Sequence, residues 1–221
     1  SRMVGADAMT QPAKILVVFG TRPEAIKLFP VVRALQADPR FPPVVCVSAQ
    51  HRQMLDQALA AFDLKADHDL DLMRPGQTLP ELSGRVVTAV CGWLDHHHPD
   101  VVLVQGDTTT ALIGGLAAFY HKIPVGHVEA GLRSHDRYSP FPEELNRTLL
   151  GRLAQWHFSP TPYAADLLRR ENIDGGSIYV TGNTVVDALH WMTSHLRCRE
   201  IRPGILNGQR KLVLVTCHRR E

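Results

Sequence analysis

The side chains with most to offer chemically are acids and bases that directly follow short apolar runs. The first run, ILVVF, leads straight into Gly20-Thr21-Arg22-Pro23-Glu24-Ala25-Ile26-Lys27. Gly20 permits a tight turn and Pro23 suits the first turn of a helix, whose free N–H groups attract an anion. Arg22 and Lys27 add positive charge beside it. The same spelling also describes an ordinary strand–helix turn with a capped helix, since it is neither GxGxxG nor a Walker loop. A second run ends in Gln105-Gly106-Asp107-Thr108-Thr109-Thr110, where Asp107 is either a site carboxylate or a helix cap. A third ends in His127-Val128-Glu129-Ala130-Gly131-Leu132-Arg133. A Glu after an apolar strand needs a partner, and Arg133 offers one. Glu143 and Arg147 share a helix face, which alone describes a routine surface ion pair.

Taken together, these residues bring several carboxylates and bases to one edge of one sheet. Carboxylates crowded together titrate apart, as acid–base chemistry near neutral pH requires, although a salt-bridge network has the same composition. The basic end His218-Arg219-Arg220 follows a last apolar run, where a ligand-facing loop would sit. Other features read as structural. His96-His97-His98 suits a helix end, where imidazoles favour the dipole, and is not read as a metal site. Leu112, Leu116 and Phe119 are core residues at helical spacing.

The elements that must position these groups are legible as alternating patterns. Apolar β-branched runs predict strands at Ile15–Phe19, Val44–Ser48, Val101–Val104, Val125–Val128, Trp156–Phe158, Ile178–Thr181 and Leu212–Thr216. They lack in/out alternation, as suits parallel strands buried on both faces. Helices are predicted at Pro23–Ala37, Arg52–Phe62, Leu79–His96, Thr109–His121, Glu143–Ala154, Pro162–Arg170 and Val185–Leu196. Repeated β-α units of this kind form a doubly wound α/β fold with a parallel sheet, whose ligands bind outside the carboxyl ends of the strands. Residues 1–13 read as a disordered lead-in and 14–197 as the main domain. Pro203, Gly204, Asn207 and Gly208 mark 198–210 as a linker, and 211–221 reads as the start of a second α/β domain whose remainder is absent.

Composition narrows the function classes. Of 221 residues, 44% are hydrophobic and 21% charged, enough apolar material for a sizeable core. The net charge of +2 argues against a dedicated nucleic-acid or membrane surface, yet leaves room for a small anionic ligand. Cys46, Cys91, Cys198 and Cys217 show no metal-like spacing and read as reduced thiols. No run approaches the ~18 apolar residues of a membrane span, so a cytoplasmic protein is expected.

The strings FGTRPEAIK, AQHRQMLDQ, GDTTT, AAFY, PVGHVEAGLR, YSPFPEELNR, TGNTVVDAL and TCHRRE occur in order from Phe19 onward. In this the sequence resembles the bacterial UDP-N-acetylglucosamine 2-epimerase family, non-hydrolysing type. The resemblance implies a Rossmann-like N-terminal domain in a glycosyltransferase-B-type pair, truncated here, with the active site between the two domains. It also implies interconversion of UDP-GlcNAc and UDP-ManNAc, without metal or other cofactor, by elimination of UDP to a 2-acetamidoglucal and re-addition. Asp107, Glu129 and Glu143 would then carry acid–base roles, with Arg147 orienting a carboxylate or the substrate. Arg22, Lys27 and His218 would meet the diphosphate. Gln50 and Gln53 match positions associated with a second, activating UDP-GlcNAc, while Gly76 stands where some members carry Arg. Members usually form homodimers. The rival readings are a 2-epimerase of a diacetamido uronic-acid nucleotide, a glycosyltransferase, and an inactive nucleotide-sugar-binding fragment.

Overall fold

A computed structural model describes residues 11–48, 52–72, 74, 76–195, 213 and 215. The expected lead-in up to residue 10, Gln50, the linker, the last strand apart from Val213 and Val215, and His218 lie outside these residues. Within them the chain alternates strand and helix: β1 Ile15–Phe19, α1 Arg22–Gln36, β2 Pro43–Val47, α2 Arg52–Ala61, β3 His68–Asp69, α3 Leu79–His97, β4 Val101–Gln105 and α4 Thr109–Tyr120. It continues with β5 Val125–Val128, α5 Glu143–Leu153, β6 Trp156–Ser159, α6 Pro162–Arg170, β7 Ile178–Val180 and α7 Thr184–His195. The expected strands and helices in this span are all present, with ends shifted by a residue or two. β3 was not foreseen, because two polar residues make no apolar run.

All pairings are parallel, in the order β3-β2-β1-β4-β5-β6-β7. The order reverses between β1 and β4, and a doubly wound sheet opens a crevice at that switch point. Alternate residues of each strand feed opposite faces. Val17, Phe19, Val45, Val47 and Val128 pack with Leu28, Phe29 and Leu55. Leu16, Val18, Val102, Val104 and Val125 pack with Val86, Val90, Ala117 and Leu150 on the other side. Burial on both faces explains why the strands read as unbroken apolar runs. α7 returns onto the first face, where Trp191 meets Phe29 edge-on at 4.7 Å between ring centroids.

Helix starts follow from local chemistry. Thr21, Thr78, Thr108 and Thr161 occupy the N-cap positions of α1, α3, α4 and α6. Prolines stand in the first turn of α1, α3 and α6, where a missing N–H costs nothing. His98 closes α3 in the left-handed conformation, φ 44°, and His97 stacks on Trp93 at 4.0 Å, so the histidine run ends a helix. Cys46 and Cys91 are free thiols; burial pushes the Cys46 thiol up to about 12. Among the described residues no helix is long and apolar enough to cross a membrane.

Gly131, at φ +93°, follows β5, and a Cβ there would collide with the carbonyl oxygen of Ala164 in α6. Both backbone strain and a clash with main chain oppose any side chain. Gly131→Ala should therefore destabilise the fold by about 2 kcal/mol or more. Gly175→Ala, with open space around it and no left-handed backbone, serves as the control. Urea midpoints measure both, and equal midpoints would contradict the packing.

Candidate functional site

The carboxyl ends of β1, β4 and β5 and the start of α5 surround a cleft of about 490 Å³. Arg22, Lys27, Asp107, Glu129 and Glu143 all line it, so these sequence candidates converge on one space. Met54 and Leu79 add an apolar wall. Arg147 stands behind the lining and reaches it through Asp107. Gln53 is exposed on the first turn of α2 and is not among the lining residues.

Glu129 sits at the end of β5 with φ 65°, a left-handed conformation uncommon for a non-glycine residue. Its carboxylate is held by several donors. Lys27 Nζ lies 2.6 Å from Oε2 and 2.7 Å from Oε1. Gln105 Nε2 donates to Oε1 at 3.1 Å, and Asn183 Nδ2 donates to Oε2 at 3.3 Å. Donors from α1, β4 and the turn before α7 thus meet on one group. The alternative partner Arg133 is elsewhere: its guanidinium binds Glu171 through two hydrogen bonds of 2.7 and 2.8 Å. That pair holds the Glu171 carboxyl below its ordinary value.

Asp107 does not cap α4; Thr108 does, accepting from the Ala111 N–H at 3.0 Å. Released from capping, the Asp107 carboxylate pairs with Arg147 Nη2 at 2.6 Å. Its own carbonyl accepts from Asn146 Nδ2 at 2.8 Å. Arg147 is consequently not in a routine surface pair with Glu143. Its side chain is only 13% exposed, and it reaches the Glu143 backbone carbonyl and the Glu144 carboxylate instead. The adjacent glutamates divide their work. Glu143 lines the cleft, while the buried Glu144 accepts the Ser134 and His135 N–H groups and organises the loop before α5.

The expected free N–H groups at the β1–α1 turn are partly taken. Those of Gly20 and Thr21 donate to Glu24 Oε2 at 3.1 and 2.8 Å. An incoming anion therefore meets the side chains of Arg22 and Lys27 rather than these amides. Burial raises the Glu24 carboxyl above its ordinary value, against hydrogen bonds from Thr108, Thr21 and Gly20 that lower it.

His127 supports the same edge from beneath. Its Nε2 lies 2.7 Å from the Gly106 carbonyl, which only accepts, so Nε2 carries the proton. Burial holds the ring neutral, pushing its pKa down to about 4. His157, its register partner on β6, is shifted down by burial too. Asn146 and Asn183 stand in the quoted strings and Gln105 directly precedes one of them, yet nothing in their spacing named their partners. His127 and Glu24 look like ordinary strand and cap residues until burial is known. Among the described residues no group of three or more His, Cys, Asp or Glu is placed to hold a metal ion.

A family model described as UDP-N-acetylglucosamine 2-epimerase matches residues 33–221. The UDP-N-acetylglucosamine 2-epimerase of Salmonella typhimurium is 54% identical over 215 residues, covering 94% of this chain and 57% of that protein. The structure of UDP-GlcNAc 2-epimerase from Neisseria meningitidis bound to UDP-GlcNAc superposes with a TM-score of 0.82 at 50% identity. It covers 85% of this chain and 51% of that one. The Methanocaldococcus jannaschii enzyme, solved with UDP-GlcNAc and UDP, gives 0.76 at 39% identity, covering 80% of this chain and 49% of that one. The chain thus spans about half the length of the relatives it matches.

His127 sets a pH dependence for the fold beneath the cleft. Below its ordinary value of 6.5 the unfolded chain takes up a proton that the folded ring, at about 4, refuses. Stability is therefore lost as pH falls through that window and levels off below it. The loss approaches roughly 3 kcal/mol, at about 1.4 kcal/mol per pH unit. His127→Gln keeps a donor for Gly106 and removes the titration, leaving the contribution of His157. Its urea midpoint should fall less than that of the parent between pH 7 and 5; parallel losses would contradict a neutral buried ring.

Proposed function

The chain belongs to the UDP-N-acetylglucosamine 2-epimerase family, and from that premise we propose that it supplies the acid–base half of an enzyme interconverting UDP-GlcNAc and UDP-ManNAc. The observation that carries this reading is the convergence of Lys27, Asp107, Glu129 and Glu143 on one cleft at the carboxyl edge of the sheet. Inverting C2 of a nucleotide sugar needs a base and an acid on opposite faces, and cations for the departing diphosphate.

In the proposed reaction a carboxylate takes the C2 proton as the C1–O bond to UDP breaks, and C1 and C2 become doubly bonded. The 2-acetamidoglucal and UDP stay in the cleft. A second carboxyl group then delivers a proton to the other face of C2 while a diphosphate oxygen re-forms the bond to C1. Asp107, Glu129 and Glu143 form the acid–base set. Arg22 and Lys27 meet the diphosphate, with His218 joining them from the segment after the linker. Arg147 holds Asp107. The scheme calls for no metal and no nicotinamide.

The site is completed by a second Rossmann-like domain following a linker at 198–210. An activating UDP-GlcNAc bound at Gln50 and Gln53, a homodimeric state and a role in supplying cell-surface polysaccharide belong to the same reading, all supported by the family resemblance.

The test uses the full-length protein that contains this chain. Incubated with UDP-GlcNAc, it should form UDP-ManNAc. Asp107→Asn, Glu129→Gln and Glu143→Gln should each lower kcat by about 10²-fold or more, typical of losing a general acid or base. A variant turning over at the parental rate removes its carboxylate from the acid–base set. No UDP-ManNAc from the parent refutes the activity.

A further inference from the structure

Two helices of this chain begin with the same local spelling, and the structure treats their glutamates differently. α1 opens with Thr21-Arg22-Pro23-Glu24 and α3 with Thr78-Leu79-Pro80-Glu81. In both, the glutamate reaches back to the N-cap N–H, at 2.8 Å for Glu24 and 2.7 Å for Glu81. Such a capping box stabilises a helix start by local means and leaves the carboxylate in water. Glu81 fits that description: it is exposed, and among the described residues its hydrogen bonds come from Thr78 alone. Those bonds hold its carboxyl below the ordinary value.

Glu24 does not fit it. The residue is 1% exposed, and among the described residues no salt bridge compensates its burial. Taking a carboxylate out of water without a cation is costly, so a capping role alone leaves its place unexplained. What Glu24 has and Glu81 lacks is a partner from a distant loop: the Thr108 hydroxyl donates to Oε1 at 2.7 Å. Oε2 meanwhile accepts from Gly20 and Thr21. Thr108 is the N-cap of α4 and the immediate neighbour of Asp107. One buried carboxylate therefore ties the turn bearing Arg22 and Lys27 to the turn bearing Asp107.

We propose that Glu24 is a positioning residue, a strap that fixes the separation between the cations for the departing diphosphate and the carboxylate Asp107. This rests on the reaction proposed above, in which C1–O cleavage and proton transfer at C2 must occur in one geometry. Loosening the strap leaves each group present but lets the two turns drift. The cost then falls on kcat rather than on substrate binding, because alignment is needed mainly in the transition state.

The experiment compares Glu24→Ala, Thr108→Val, Thr108→Ser and Glu81→Ala in the full-length protein. Glu24→Ala and Thr108→Val should each lower kcat about 10-fold or more with KM for UDP-GlcNAc within about 3-fold. Thr108→Ser keeps the hydroxyl and should recover most of kcat, and Glu81→Ala should leave kcat unchanged. Hydrogen exchange at the Gly20 and Thr21 amides should speed up in Thr108→Val, although the substitution lies 87 residues beyond Thr21. Thr108→Val also keeps the test open where Glu24→Ala does not fold. Parental kcat in Thr108→Val, a KM effect without a kcat effect, or an equal loss in Glu81→Ala would overturn the strap. Should the parent make no UDP-ManNAc, the enzymatic reading fails, and unchanged exchange at Gly20 and Thr21 would separately refute the strap.

Discussion

Lys27 and Glu129 are 102 residues apart, and their ion pair spans the switch point of the sheet from α1 to the end of β5. Between them Gln105 from β4 adds a donor, and Asn183 approaches from the far side. A carboxylate can leave water only where donors replace its hydration. Four elements therefore have to arrive in register before Glu129 can occupy its left-handed place. The parallel order of β1, β4 and β5 delivers them, because each strand ends at the same edge. The neighbouring groups obey the same rule. Asp107 is met by Arg147, Glu144 by two backbone amides, and Glu24 by two amides and a hydroxyl.

This way of building a site has a chemical consequence. At the β1–α1 turn two backbone amides are not left open to an anion, since Glu24 occupies those of Gly20 and Thr21. In the proposed reaction positive charge for the diphosphate comes instead from long side chains, which can follow the leaving group as it departs and returns. Lys27 already carries Glu129, so any anion arriving at Lys27 perturbs that carboxylate. In the proposed reaction diphosphate binding and proton transfer thus share one ammonium group.

Much of the frame was legible in the sequence because its signals are local. Apolar runs, helical spacing and an early proline at Pro23 named the strands and helices within a residue or two. β3 escaped, being two polar residues held by pairing with β2 rather than by burial. Arg22, Lys27, Asp107 and Glu129, which line the cleft, were legible as well, through their places after strand ends. Their partners were not. Glu129 was paired on paper with nearby Arg133, which in the fold turns to Glu171. Asp107 offered itself as a cap, a role that Thr108 fills. Glu143 and Arg147 had the spacing of a surface pair, yet Arg147 turns inward to Asp107. Partner choice is decided by which strands lie side by side, and spacing along the chain carries no record of that.

The central claim is that carboxylates at this edge exchange the C2 proton of a nucleotide sugar while its diphosphate is detached. Running the full-length protein on UDP-GlcNAc in deuterated water, and locating the label in the product by NMR, tests it directly. The expected result is UDP-ManNAc bearing solvent deuterium at C2, with the label lost from the product profile when Asp107, Glu129 and Glu143 are together replaced by their amides. UDP-ManNAc formed with its original proton at C2 would contradict it.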